Sequence, residues 1–130
     1  MQFDKSDLNF KFKVDCKRAL QYQKELPKIE DYIAAINESD GFCLYCGEKL
    51  LGSGQSNFVF SIDHNTPLAC WNGTDEKDNL IVCCQRCNLI KGTMHGSTYR
   101  KFIMALKNAE IFDIVSYEML FGRRKAVEKS

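Results

Sequence analysis

Cys43-Leu44-Tyr45-Cys46, Ser61-Ile62-Asp63-His64-Asn65-Thr66-Pro67 and Asn79-Leu80-Ile81-Val82-Cys83-Cys84-Gln85-Arg86-Cys87-Asn88-Leu89-Ile90-Lys91-Gly92 follow one another through the middle of this sequence and set its architecture. Each C-x-x-C unit can bite one metal ion, and two of them supply the four thiolates of a closed tetrahedral zinc site. Gly47 ends the first knuckle, where a tight turn needs a permissive backbone. The second unit opens a helix, whose N-terminal dipole favours thiolates. With Cys43, Cys46, Cys84 and Cys87 as ligands, no position stays open for water, so the expected zinc is structural and contributes on the order of 10 kcal/mol to folding. Cys83 competes with Cys84 for the third place, but the Cys84-to-Cys87 spacing suits a knuckle better. Four buried cysteines without metal are the plain alternative, and Cys16, Cys70 and Cys83 read as packing residues.

On either side of the first knuckle the pattern changes period. Leu8, Phe10, Phe12 and Val14 alternate with polar residues, which suits a short strand. Residues 15–26 favour helix, Pro27 interrupts, and Ile29, Tyr32, Ile33 and Ile36 recur at helical spacing until Ser39-Asp40-Gly41. Residues 47–51 and 58–62 read as strands around the turn-rich 52–57, residues 79–83 as a third strand, and 65–78 as a polar loop. A helix follows Cys84, with Gly92 and Gly96 as breaks. Tyr99, Phe102, Ile103 and Leu106 mark another that Ser97 would cap, and residues 111–120 form one more. The expected class is α+β: a hairpin over about 58–83, a helix packed across it, and helices from both termini.

Composition bounds the rest. A chain of 130 residues with 45% hydrophobic content supports one core, so residues 1–130 are expected to form one domain. Within it, 1–42 is a helical lead-in, 43–96 the zinc-stapled core, and 97–130 the C-terminal helices with a basic end, Arg123-Arg124-Lys125. A net charge of +1 exerts no global pull on a polyanion, so nucleic-acid affinity would come from a local basic surface. The seven cysteines are odd in number and cannot all pair. Residues 1–10 lack the regions of a signal peptide, and no run reaches the length of a membrane span. The expectation is a cytoplasmic protein, nucleoid-associated or phage-encoded, with no membrane partner, in which thiolate–metal chemistry outranks disulfides.

Over residues 43–92 the succession C-x-x-C, D-H-x-x-P, a glycine-containing loop, N-L and C-x-x-C-N-x-x-K resembles the HNH group of His-Me finger endonucleases. The flanks carry no such signature. The resemblance implies a ββα-metal finger with structural zinc and metal-dependent hydrolysis of DNA phosphodiesters. His64 is then the general base, Asp63 and Asn88 the ligands of a catalytic Mg²⁺ or Mn²⁺, and Asn79 the residue that ties down the loop and helps hold the histidine. In that family the attacking water displaces the 3′ oxygen and leaves a 5′-phosphate. Many relatives carry histidine where Asn88 stands; asparagine still donates an oxygen.

The residue types suit the chemistry. Hydrolysis needs a hard cation on the phosphate and a base opposite it, and adjacent residues at a strand end point in different directions, so Asp63 and His64 can serve separately. Oxygen donors suit Mg²⁺, and imidazole titrates near neutrality. Lys91, three residues after Asn88 on one helical face, either stabilises phosphate charge or is an ordinary exposed lysine. His95 joins that face only if the helix runs through Gly92. The rival is a zinc-stapled nucleic-acid-binding or protein-interaction module without catalysis, and retention of Asp63, His64, Asn79 and Asn88 together counts against it. DNA is the expected partner and RNA a secondary one, since backbone recognition is independent of sequence. One active site cuts one strand per event, so a homodimer or a targeting protein would extend its action.

Overall fold

A computed structural model describes residues 2–54 and 56–129, with 121–129 by backbone alone. Helices α1 (Lys5–Gln21) and α2 (Ile29–Glu38) lead into an antiparallel pair, β1 (Phe60–His64) and β2 (Leu80–Cys84). Helices α3 (Gln85–Lys91), α4 (Gly96–Asn108) and α5 (Phe112–Lys129) follow. This is the expected α+β class. The side chains of Arg123, Arg124 and Lys125 lie outside the described residues.

The first segment corrects its expectation. Residues 8–14 are helical, not a strand, because Leu8, Phe12, Asp15 and Ala19 recur at helical spacing on the inward face, while Phe10 is 72% exposed. The overlooked signal is Asp4, whose side chain accepts from the Ser6 amide at 2.7 Å and caps the helix, with Asp7 in the first turn. The helix ends at Gln21, well short of Pro27. Helix α2 stops at Glu38, close to the expected Ser39-Asp40-Gly41 break.

The strand expected over 47–51 shrinks to two isolated bridges, Phe42 with Lys49 and Leu51 with Val59, because residues 43–47 are spent on the cysteine knuckle. In the β1–β2 pair Asp63 faces Ile81 and His64 faces Leu80. Strand alternation sends Ser61 and Asp63 to one face and Ile62 and His64 to the other. Helix α3 follows β2 without a loop and lies against β1, so Asn88 reaches Ser61 and Lys91 reaches Asp63. Its stop at Gly92 leaves His95 off the Asn88–Lys91 face; His95 instead precedes α4, where Ser97 lies inside the helix and caps nothing. Tyr32, Ile36, Ile62, Val82, Tyr99 and Ile103 form the centre of the core. No helix among the described residues is long and apolar enough to cross a membrane.

Candidate active site and metal centres

Two knuckles build the sulfur cluster. The Cys46 amide donates to Cys43 Sγ and the Cys87 amide to Cys84 Sγ, each at 3.4 Å, so each C-x-x-C spacing is closed by its own backbone. Gly47 takes φ +81, the left-handed turn the first knuckle requires. The four Sγ atoms lie within 4.8 Å of one another, and all four residues are buried. A tetrahedron with Zn–S bonds of about 2.3 Å has sulfur edges of about 3.8 Å. Cys46 and Cys84 are 3.8 Å apart, too far for a disulfide and right for such an edge. The cluster is therefore compatible with a zinc site, and Cys84, not Cys83, belongs to it.

The four thiols act on one another in opposite directions, two pulled down and two pushed up. Cys43, raised by its bond with Cys46 but lowered further by those of Cys84 and Cys87, falls to about 6. Its hydrogen bond pulls Cys46 down, while Cys84 and Cys87 are pushed up by Cys43 and Cys46. Arg86 is buried between the rings of Phe58 and Phe112, at 5.2 and 4.7 Å, and its charge faces these thiolates. Cys83 is wholly buried elsewhere, and burial holds its thiol well above the usual range. Cys16 and Cys70 are only partly buried.

Asp63, His64, Asn88 and Lys91 line one cleft of about 200 Å³ with Lys11 and Arg18 of α1. Asp63 Oδ2 accepts from Tyr45 Oη and pairs with Lys91 Nζ, both at 2.9 Å. Lys91 also donates to the His64 carbonyl at 3.2 Å and is 3% exposed, which rules out an ordinary surface lysine. Tyr45 comes from inside the first knuckle, so the sulfur cluster and Asp63 are joined by one side chain. Asn88 Nδ2 donates to Ser61 Oγ at 2.7 Å, which leaves its Oδ1 uncommitted among the described residues. Asp63 and Asn88 line one cleft, and carboxylate and amide oxygens are the donor types that Mg²⁺ or Mn²⁺ takes.

Asn79 holds the loop between the strands. Its Oδ1 accepts from the Thr66 amide at 2.8 Å, and its Nδ2 donates to the Thr66 and Thr74 carbonyls at 3.0 and 2.7 Å. Both ends of the loop are thereby tied next to His64.

The ring of His64 has a partner that sequence reasoning missed. Its Nε2 lies 2.6 Å from Asp75 Oδ1, and Asp15 of α1 completes a buried Asp–His–Asp group. Tyr32 Oη donates to Asp15 Oδ2 at 2.6 Å and sits 3.3 Å from Asp75 Oδ1. Lys11 pairs with Asp15 at 3.0 Å. Asp75 stands alone in a polar loop, where no spacing announces it. The Lys11, Asp15, Arg18 face of α1 was hidden by reading residues 8–14 as a strand.

Fold and site together define a class: an α+β finger in which a helix and a two-stranded hairpin share a cysteine cluster compatible with zinc. Residues 43–93 match the family model described as HNH endonuclease, a match that points to nuclease-type chemistry. No curated protein matches the chain. Lys11, Asp15, Arg18 and Tyr32 lie outside the matched segment, whereas Asp75 lies inside it.

Proposed function

We propose that this protein is a divalent-metal-dependent endonuclease that hydrolyses DNA phosphodiesters. The observation that carries the reading is the single cleft lined by Asp63, His64 and Asn88, with Lys11 and Arg18 on its α1 side. A polyanion meets positive charge there although the whole chain carries only +1.

In this reading Asp63 and Asn88 hold the catalytic ion, and Cys43, Cys46, Cys84 and Cys87 hold a structural zinc. When bound, the catalytic ion supplies charge neutralisation at the phosphate oxygens. His64 accepts a proton from the attacking water. Lys91 secures Asp63 and the His64 backbone in one contact pair, and Asn79 keeps the loop from carrying His64 out of line. Arg18 has no side-chain partner among the described residues and is free to meet a backbone phosphate. The test is nicking of supercoiled plasmid by the wild type with Mg²⁺, with EDTA and with His64→Ala; loss of cleavage in the last two is expected. Equal activity of wild type and His64→Ala overturns the enzyme reading.

A second reading has one observation in its favour. The Lys91 ammonium sits on Asp63, the oxygen donor the first reading gives to the metal. A zinc-stapled DNA-binding module would keep that ion pair and cut nothing. Plasmid retardation without cleavage, unchanged in Lys91→Met, would support it.

A further inference from the structure

We infer that Asp75 is a positioning residue that fixes the His64 imidazole with its proton on Nε2 and Nδ1 as the proton-accepting atom. Tyr32 of α2, oriented by Asp15 of α1, adds a weaker hydrogen-bond branch to Asp75. The positioning role rests on the nuclease reading for its kinetic arm alone.

The geometry argues for a hydrogen-bonded network and against a cation among these three residues. Metal bonds of about 2.0–2.1 Å meeting at right angles or wider keep two donor atoms at least about 2.8 Å apart. His64 Nε2 and Asp75 Oδ1 are at 2.6 Å, which is a charge-assisted hydrogen bond. Carboxylate oxygen cannot donate when ionised, so the proton of that bond belongs to the ring. Asp75 is 5% exposed, and its Oδ2 has no hydrogen-bond partner among the described residues. A buried carboxylate with one oxygen unsatisfied holds firmly to the donor its other oxygen has. Asp15 has a cation of its own in Lys11, whereas Asp75 has only the imidazole and the longer branch from Tyr32 Oη. The Tyr32 hydroxyl carries one proton, and the 2.6 Å bond to Asp15 orients it. Asp75 Oδ1, at 3.3 Å, takes only the minor branch of that shared proton. Nδ1 of His64 makes no hydrogen bond among the described residues, and His64 is one of the residues that line the cleft with Asn88 and Arg18.

Two outcomes are read on the full-length, zinc-loaded, ¹⁵N-labelled protein. The sequence holds only two histidines, so a His95→Gln spectrum assigns the His64 ring. At a pH where the imidazole is neutral, the wild type should show a protonated Nε2 and a bare Nδ1. Asp75→Ala should give a mixed tautomer and a kcat reduced on the order of 10²-fold with KM little changed. Asp75→Asn, whose amide can turn its NH2 toward Nε2 and favour a proton on Nδ1, should keep the ring contact without restoring the tautomer or kcat. Tyr32→Phe should shift both readouts in the same direction by less. A wild-type ring protonated on Nδ1, or an Asp75→Ala protein with unchanged tautomer, overturns the inference. An Nε2 that is bare and moves on addition of Mn²⁺ overturns it too and gives the cluster to a cation. A tautomer pinned by Asp75 in a protein that never cleaves DNA supports the positioning role and removes the nuclease reading instead.

Discussion

Asn79 shows what one side chain can do in a segment without regular structure. Three hydrogen bonds from its amide group close the loop onto Thr66 and Thr74, two residues after His64 and one before Asp75. Asn79→Ala leaves the Thr66 amide and two carbonyls unpaired, and we expect about 1–3 kcal/mol of lost stability in urea unfolding together with a reduced kcat. Asn79→Asp keeps the acceptor and should lose less. Gly73 limits the same loop sterically: a Cβ there would lie 2.1 Å from the backbone oxygen of Pro67, which cannot swing aside as a side-chain tip can. Gly73→Ala should therefore displace the loop, at about 1–3 kcal/mol by thermal unfolding, and weaken the His64–Asp75 contact with it. The identity of Asn79 was legible from its place before Leu80 in the quoted pattern. Its three partners were not, since each is set by how the loop folds back.

At the scale of elements, α1 is the surprise. It lies outside the matched segment, yet its one face brings Lys11, Asp15 and Arg18 to the cleft and to the His64 group. Apolar residues at every second position from Leu8 to Val14 mimic a strand because a helix with exposed Phe10 and Val14 also shows that alternation. Arg18→Ala should raise KM for duplex DNA several-fold, leave most of kcat, and flatten the salt dependence of binding by about one unit of slope. A filter-binding titration across salt concentrations checks it. Unchanged slope would remove α1 from the substrate surface. Helix α3, by contrast, was legible in place and length, because the second C-x-x-C and Gly92 bracket it in the sequence itself.

For the molecule as a whole, the hairpin is only two strands, and the four cysteines lie inside the core that joins it to α2, α4 and α5. Zinc removal should consequently unfold the protein, not merely inactivate it. A strong chelator under reducing conditions, or Cys87→Ser, is expected to abolish the cooperative thermal transition, with Zn²⁺ restoring the fold and Mg²⁺ failing to do so. After brief EDTA treatment at low temperature the order should reverse: on the nuclease reading the fold is expected to persist and Mg²⁺ alone to recover cleavage. A chelated protein that retains its transition would show that the sulfur cluster is packing without metal.

The features that the sequence by itself determined are those whose physics is local. Two C-x-x-C units must form knuckles, because the amide three residues on reaches back to the first sulfur. Asp63 and His64 must point to opposite faces, because adjacent strand residues do. Tertiary structure alone decided which group each of them meets: Tyr45 and Lys91 for Asp63, Asp75 for His64, and a helix from outside the matched segment for the cleft wall. Those pairings depend on burial and on distances between residues far apart in the chain, and a spacing pattern carries neither.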